Sequence, residues 1–239
     1  MNKILVIDDE KPTLSMFRLF LAAYGFEVIT AENGEEGLKA FENERPPIVL
    51  TDIKMPGMDG LEVLERIKKM DPRAEVIIIT GHGDMDIAIK ALNLNATDFI
   101  NKPIQKDALD AALKRAGERI SMSDSKQRDV SSSNRGDAVV ISVKGSVNNE
   151  SEPYLTREFE SALETGAEKI VLDFDENSSI NGVGLAVLNQ LLERTEKEGK
   201  DVAISGLSEN FRRVFDMVGI TRFANIYDRV DTALEKLRA

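Results

Sequence analysis

The stretch Ile48-Val49-Leu50-Thr51-Asp52-Ile53-Lys54-Met55-Pro56-Gly57-Met58-Asp59-Gly60 decides how this chain is read. A short apolar run that halts at a Pro/Gly turn predicts a buried strand. Parallel α/β sheets collect their chemistry beyond the carboxyl ends of their strands, so Asp52 is expected at the open edge of such a sheet.

Other strand ends carry matching chemistry. Met1 to Ile7 runs into Asp8 and Asp9, Glu75 to Ile79 ends at Thr80, and Asp98-Phe99-Ile100-Asn101 leads to Lys102-Pro103. If these strands are parallel, as their alternation with helical segments implies, Asp8, Asp9, Asp52, Thr80 and Lys102 converge at one edge. Three carboxylates held close repel one another unless a cation neutralises them, and Mg2+ takes oxygen ligands while keeping waters for a phosphate. In-line phosphoryl transfer needs positioning and charge neutralisation, which a metal and Lys102 supply.

Between those strands the spacing predicts amphipathic helices. Pro12 opens one carrying Leu14, Phe17, Leu21 and Tyr24 on one face to Gly25; Asn33-Gly34 opens a second with Leu38 and Phe41 inward. Asp59 can cap a third carrying Leu61, Leu64 and Ile67, and two more are expected near 84–94 and 105–120. Five strand-helix units over residues 1–120 describe a doubly wound five-stranded parallel sheet of flavodoxin-like order.

The 239 residues suit one large domain or two small ones, and 42% hydrophobic content can supply a core for each. There is no cysteine, which excludes disulfides and thiol chemistry. The expectation is a soluble cytoplasmic protein with no membrane partner, since no apolar run approaches spanning length. Net charge is −11, divided as −5 over residues 1–120 (16 basic, 21 acidic) and −6 over the rest (15 and 21), so neither half carries a basic footprint for direct nucleic-acid binding.

Residues 1 to about 120 resemble a response-regulator receiver domain: the acid pair, the strand-end Asp with its Met-Pro-Gly-Met-Asp-Gly, the Thr-Gly and the Lys-Pro all occur in order. The resemblance implies that Asp52 accepts a phosphoryl group from a sensor histidine kinase and that Asp8, Asp9, Asp52 and the Lys54 backbone carbonyl hold Mg2+. It implies that Thr80 contacts a phosphoryl oxygen, that Lys102 pairs with it, and that Phe99 moves with Thr80 as a switch, against the plainer reading of Phe99 as core. His82, the only histidine, stands where such domains tune phosphoryl lifetime, although a solvated loop histidine is the simpler reading. Haloacid-dehalogenase phosphatases also form an aspartyl phosphate, but their first strand ends in Asp-x-Asp, and here the acids are adjacent.

Residues 121–136 read SMSDSKQRDVSSSNRG, a composition too poor in apolar side chains to fold, and are expected to be a flexible linker. Residues 137–239 predict a second, smaller α/β unit with strands near 138–143, 169–174 and 201–205, a long helix from Gly182 to Glu198, and further helices near 153–164, 208–218 and 230–237. Nothing in it pairs a nucleophile with a base, so a binding module is expected. Ile170-Val171-Leu172-Asp173, Ile180 to Leu185, Gly199-Lys200-Asp201-Val202 and Phe211 to Ile220 resemble the STAS domain of anti-sigma factor antagonists. Where phosphorylatable members read Asp-Ser-Ser-Gly-Leu, this chain reads Asn181-Gly182-Val183-Gly184-Leu185, without a hydroxyl, and Ser178 and Ser179 read as loop residues before the helix.

Together the resemblances imply a two-component response regulator, phosphorylated on Asp52, whose output is protein binding through Gly182, Val183 and Leu185 to an anti-sigma factor or a related kinase-like regulator. Such a chain is not an enzyme beyond its own phosphotransfer and dephosphorylation. A receiver-mediated homodimer stays open, as do two alternatives: an assembly protein of a signalling scaffold, and a metal-dependent phosphatase.

Overall fold

The computed structural model describes residues 3–81, 85–122, 130–148, 150–176 and 178–238. His82 therefore lies outside the described residues. The chain divides into two compact units, Met1–Asp124 and Ser125–Ala239.

The first unit alternates strictly. Its elements are β1 (Lys3–Ile7), α1 (Lys11–Ala23), β2 (Glu27–Ala31), α2 (Gly34–Glu44), β3 (Ile48–Asp52), α3 (Gly60–Met70), β4 (Glu75–Thr80), α4 (Met85–Asn93), β5 (Asp98–Asn101) and α5 (Lys106–Met122). The strands form one parallel sheet in the order β2-β1-β3-β4-β5. Order reverses between β1 and β3, and Asp8 directly after β1 and Asp52 at the end of β3 stand at the switch point where such folds place their ligands. β3 and β4 are buried along their whole length, which is why both read as continuous apolar runs. Phe17, Leu21, Leu50, Ile77, Ile79 and Leu113 build the core between α1, α5 and one sheet face, whereas Tyr24, expected on the same helix face, is exposed at the end of α1 with its hydroxyl donating to Asp110. Asn33 and Asp59 cap α2 and α3 by accepting from Glu36 N and Glu62 N.

The second unit contains β6 (Val130–Arg135), β7 (Ala138–Val143), β8 (Ser146–Val147), α6 (Glu152–Glu164), β9 (Lys169–Phe174), β10 (Ser179–Ile180), α7 (Gly182–Lys197), β11 (Asp201–Ser205), α8 (Glu209–Met217), a 3-10 turn at Ile220–Arg222, β12 (Asn225–Tyr227) and α9 (Val230–Arg238). Its main sheet runs β12-β11-β9-β7-β6 and is parallel except for β6; β8 and β10 form a separate parallel pair. Ala233 and Leu234 of α9 pack on Ala138, Val140, Val171 and Ala203, closing one sheet face.

The stretch expected to be a flexible linker is corrected at both ends. α5 continues through Met122, and Val130–Arg135 form a strand; residues 123–129 lie outside the described residues. Gly136, with φ of 73°, makes a two-residue turn with Asp137 that folds β6 back antiparallel on β7. The backbone ladder and buried Val130 hold the strand, while its serines and Asn134 stay exposed, so composition alone concealed it. Ser178 is a loop residue as expected, whereas Ser179 belongs to β10. Both are buried; Ser178 Oγ donates to the Val143 carbonyl at 2.9 Å, and Ser179 Oγ donates to Ser146 Oγ at 3.3 Å.

Candidate functional site

At the switch point Lys102 joins two acids. Its Nζ lies 2.8 Å from Asp52 Oδ1 and 3.4 Å from Asp8 Oδ2. Asp52 is 5% exposed and Asp8 fully buried. The remaining oxygens are also engaged: Asp52 Oδ2 accepts from Lys54 N at 3.1 Å, and Asp8 Oδ1 accepts from Glu10 N at 2.8 Å.

Each partner reaches this edge for a local reason. Lys102 follows β5 directly, and its amide donates to the Thr80 carbonyl at 2.7 Å, tying the ends of β4 and β5. Gly60 lets the start of α3 approach β3: a Cβ there would fall 2.1 Å from the Asp52 carbonyl oxygen. Thr80 is buried, and its Oγ1 has no hydrogen-bond partner. Leaving a buried hydroxyl unpaired costs about 1–3 kcal/mol.

The electrostatics follow from that burial. Loss of solvation raises the Asp8 carboxyl above its ordinary value, partly opposed by the Glu10 amide and by Lys102. Burial pulls the Lys102 amine down, but Asp52 and Asp8 together outweigh it and hold it above the usual lysine range.

Asp9 differs from its neighbour. It is exposed, and among the described residues no three carboxylates stand close enough to hold one metal ion. Asp8 and Asp52 are compensated by Lys102, whereas a third carboxylate in the same volume would add repulsion. The donors present are nevertheless oxygen atoms alone, the chemistry that suits a hard cation such as Mg2+. Phe99 is fully buried on β5, opposite Ile78 and therefore on the sheet face that Thr80 shares.

In the second unit, Asn181 caps α7 by accepting from Gly184 N at 2.9 Å. Gly184 is required by contact, because a Cβ there would stand 2.4 Å from the Val147 carbonyl oxygen. Val183 is 39% exposed and Leu185 only 6%. Of the expected binding residues, Val183 presents surface beside Gly182, whereas Leu185 is core and supports the helix from beneath.

Two features have no single-residue signal in the sequence. Asp98 and Arg115 form a buried ion pair between β5 and α5, with Arg115 Nε 2.7 Å from Asp98 Oδ2; beside it Glu75 accepts from Thr97 Oγ1 at 2.6 Å and faces Arg119 Nε at 3.0 Å. Met16, Leu19 and Phe20 are exposed along α1, Leu19 at 77%, at the i, i+3, i+4 spacing that would normally face a core.

Residues 4–114 match the response regulator receiver domain family and residues 130–233 the STAS domain family. The chain is 40% identical over 117 residues to the chemotaxis protein CheY of Listeria monocytogenes, covering 48% of this chain and 98% of that protein. It is 40% identical over 113 residues to the DNA-binding transcriptional regulator NtrC of Escherichia coli K12 and 37% identical over 110 residues to the transcriptional regulatory protein GlrR of the same organism. Those matches cover 47% and 46% of this chain but only 24% and 25% of the regulators, so the chain spans about a quarter of their length. A crystal structure of a response regulator receiver domain protein from Clostridium thermocellum superposes with a TM-score of 0.50 at 40% identity, covering 51% of this chain and 98% of that one. No helix among the described residues is long and apolar enough to cross a membrane. The chain belongs to the response regulator receiver family, and it carries a STAS domain after the receiver.

Proposed function

We propose that the protein is a two-component response regulator in which Asp52 accepts a phosphoryl group from a histidine kinase and thereby controls protein binding by the STAS unit. The observation that carries the reading is the Asp52–Lys102–Asp8 cluster, its two carboxylates buried, with the unpartnered Thr80 hydroxyl at the same sheet edge. In the transfer an Asp52 carboxylate oxygen forms a bond to phosphorus while the phosphorus–nitrogen bond of the phosphohistidine breaks, and the leaving imidazole takes a proton from solvent. Asp8, Asp52 and the Lys54 carbonyl would hold Mg2+, with Asp9 completing the set once its exposed side chain turns toward them, and the metal would neutralise phosphoryl charge when bound.

The chain's own groups do the rest. Lys102 exchanges its bond to Asp52 Oδ1 for one to a phosphoryl oxygen. Thr80 Oγ1 gains an acceptor, and the pull on the end of β4 reaches Phe99 on the same sheet face. The exposed Met16, Leu19 and Phe20 offer the phosphodonor an apolar docking stripe on α1, the helix that follows Asp8 and Asp9. Output passes to the STAS unit, whose Val183 surface at the start of α7 suits an anti-sigma factor or a related kinase-like regulator.

Affinity capture from native extract tests the output, with the full chain in Mg2+ alone and in Mg2+ with beryllofluoride standing in for the phosphoryl group. Capture of an anti-sigma or kinase-like protein in one state, lost on Val183→Asp, is the expected result. Equal capture in both states would overturn receiver control and favour a scaffold.

A further inference from the structure

We propose that the outer edge of β6 pairs antiparallel with β6 of a second copy of this chain, joining two STAS sheets across a two-fold axis. β6 is the terminal strand of its sheet among the described residues, and Ser131 through Arg135 are exposed. Edge strands are usually blunted by proline, bulges, covering segments or several charges. β6 has no proline, pairs with β7 in unbroken register from Val130 to Arg135, and carries one charge, at its last residue.

The same features select a second copy as the occupant. Foreign strands gain specificity from side-chain pockets along an edge, whereas β6 presents mainly small serines and an asparagine and recognises chiefly main chain. Two-fold antiparallel pairing requires residues facing each other to lie on the same side of both sheets, which places the axis on an individual residue. Centred on Ser132, it sets Ser131 of one copy against Ser133 of the other and Val130 against Asn134. The chain is strongly acidic overall at −11, yet β6 contains no acid, and the acid bonded to it, Glu158 on Ser132 Oγ at 2.6 Å, is itself paired with Arg157 at 3.0 Å. Its Arg135 residues end about 20 Å apart in this register, beyond the screening length of about 8 Å at physiological salt.

Closure is built in, because the opposite edge of the sheet is β12, only three residues long. Like edges therefore meet and the pair does not extend into a fibre. One short strand per copy buries less than the roughly 1,200 Å² of a standard interface, so the dimer is weak and dissociates on dilution.

Sedimentation equilibrium of the full chain without phosphodonor tests the pairing. The weight-average mass is expected to rise with concentration from 26.5 kDa toward twice that value. Ser131→Glu with Ser133→Glu, both exposed and outside the proposed phosphorylation site, should hold the chain monomeric with its circular dichroism and Tm unchanged. Ser131→Lys with Ser133→Lys should do the same, and mixing the two variants should restore a dimer. Wild-type chain that stays monomeric at every concentration, a dimer indifferent to the glutamates, or a mixture that stays monomeric would each overturn the proposal.

Discussion

Lys102 Nζ stands 2.8 Å from Asp52 Oδ1, so the proposed phosphoryl acceptor is held by the cation that would later pair with the phosphoryl group. The same amine reaches Asp8 at 3.4 Å. Lys102→Met would leave two buried carboxylates without that partner. The pair is partly screened because Lys102 is a third exposed, so the expected loss is about 1 kcal/mol in metal-free buffer. Millimolar Mg2+ should restore most of it through binding to the native state, read as a recovery of Tm. A Tm deficit indifferent to Mg2+ would count against the metal assignment.

Gly60 touches the Asp52 main chain. Gly60→Ala puts a methyl group 2.1 Å from the Asp52 carbonyl, and relieving that clash must move α3 or the strand end. The expected cost is about 1–3 kcal/mol, with slower phosphoryl uptake from a small-molecule donor. Wild-type uptake and an unshifted denaturation midpoint would show that the approach is not needed.

Arg115 neutralises Asp98 inside the protein. Arg115→Met strands a buried carboxylate and should cost about 3–5 kcal/mol. Adding Asp98→Asn removes the stranded charge while keeping an acceptor for Phe99 N, and should recover more than half of the loss. Chemical denaturation of the single and double variants measures the difference; a double variant no better than the single would contradict the account.

Lys68 supplies a pH dependence. Burial drives its amine down to about 8, with Glu75 opposing and Arg119 adding to the shift, and its Nζ donates to the Ala74 carbonyl at 2.7 Å. Unfolded, the amine keeps its proton up to about 10.5. Between those values the unfolded chain binds more protons, so stability rises with pH across that window, and the charged amine is a liability below it. The rise attributable to Lys68 is roughly 1–3 kcal/mol, and Lys68→Met should flatten it. Urea midpoints of both proteins at about pH 7 and about pH 10 test this; parallel profiles would contradict it.

The sequence carried the central strand well, because a β-branched run halted by Pro-Gly has one physical reading, and Ile48–Asp52 is the strand observed. Ala138–Val143 was legible for the same reason. β6 was not, since Ser-Ser-Ser-Asn has the composition of solvent-exposed chain and its partner is fixed by the Gly136 turn. β10 and β12, at two and three residues, are too short to show any period. Asp8 and Asp9 are equivalent in sequence, and only the turn after β1 decides which is buried. The Asp98–Arg115 pair joins residues whose facing depends on how α5 docks, and the exposed stripe on α1 looks in sequence like more core.

The most direct measurement is the intact mass of the full chain after incubation with Mg2+ and acetyl phosphate, alongside Asp52→Asn. One added phosphoryl group per wild-type chain is expected, released by hydroxylamine as an acyl phosphate must be, and none on the variant. No incorporation into the wild type, or equal incorporation into Asp52→Asn, would contradict Asp52 as the acceptor.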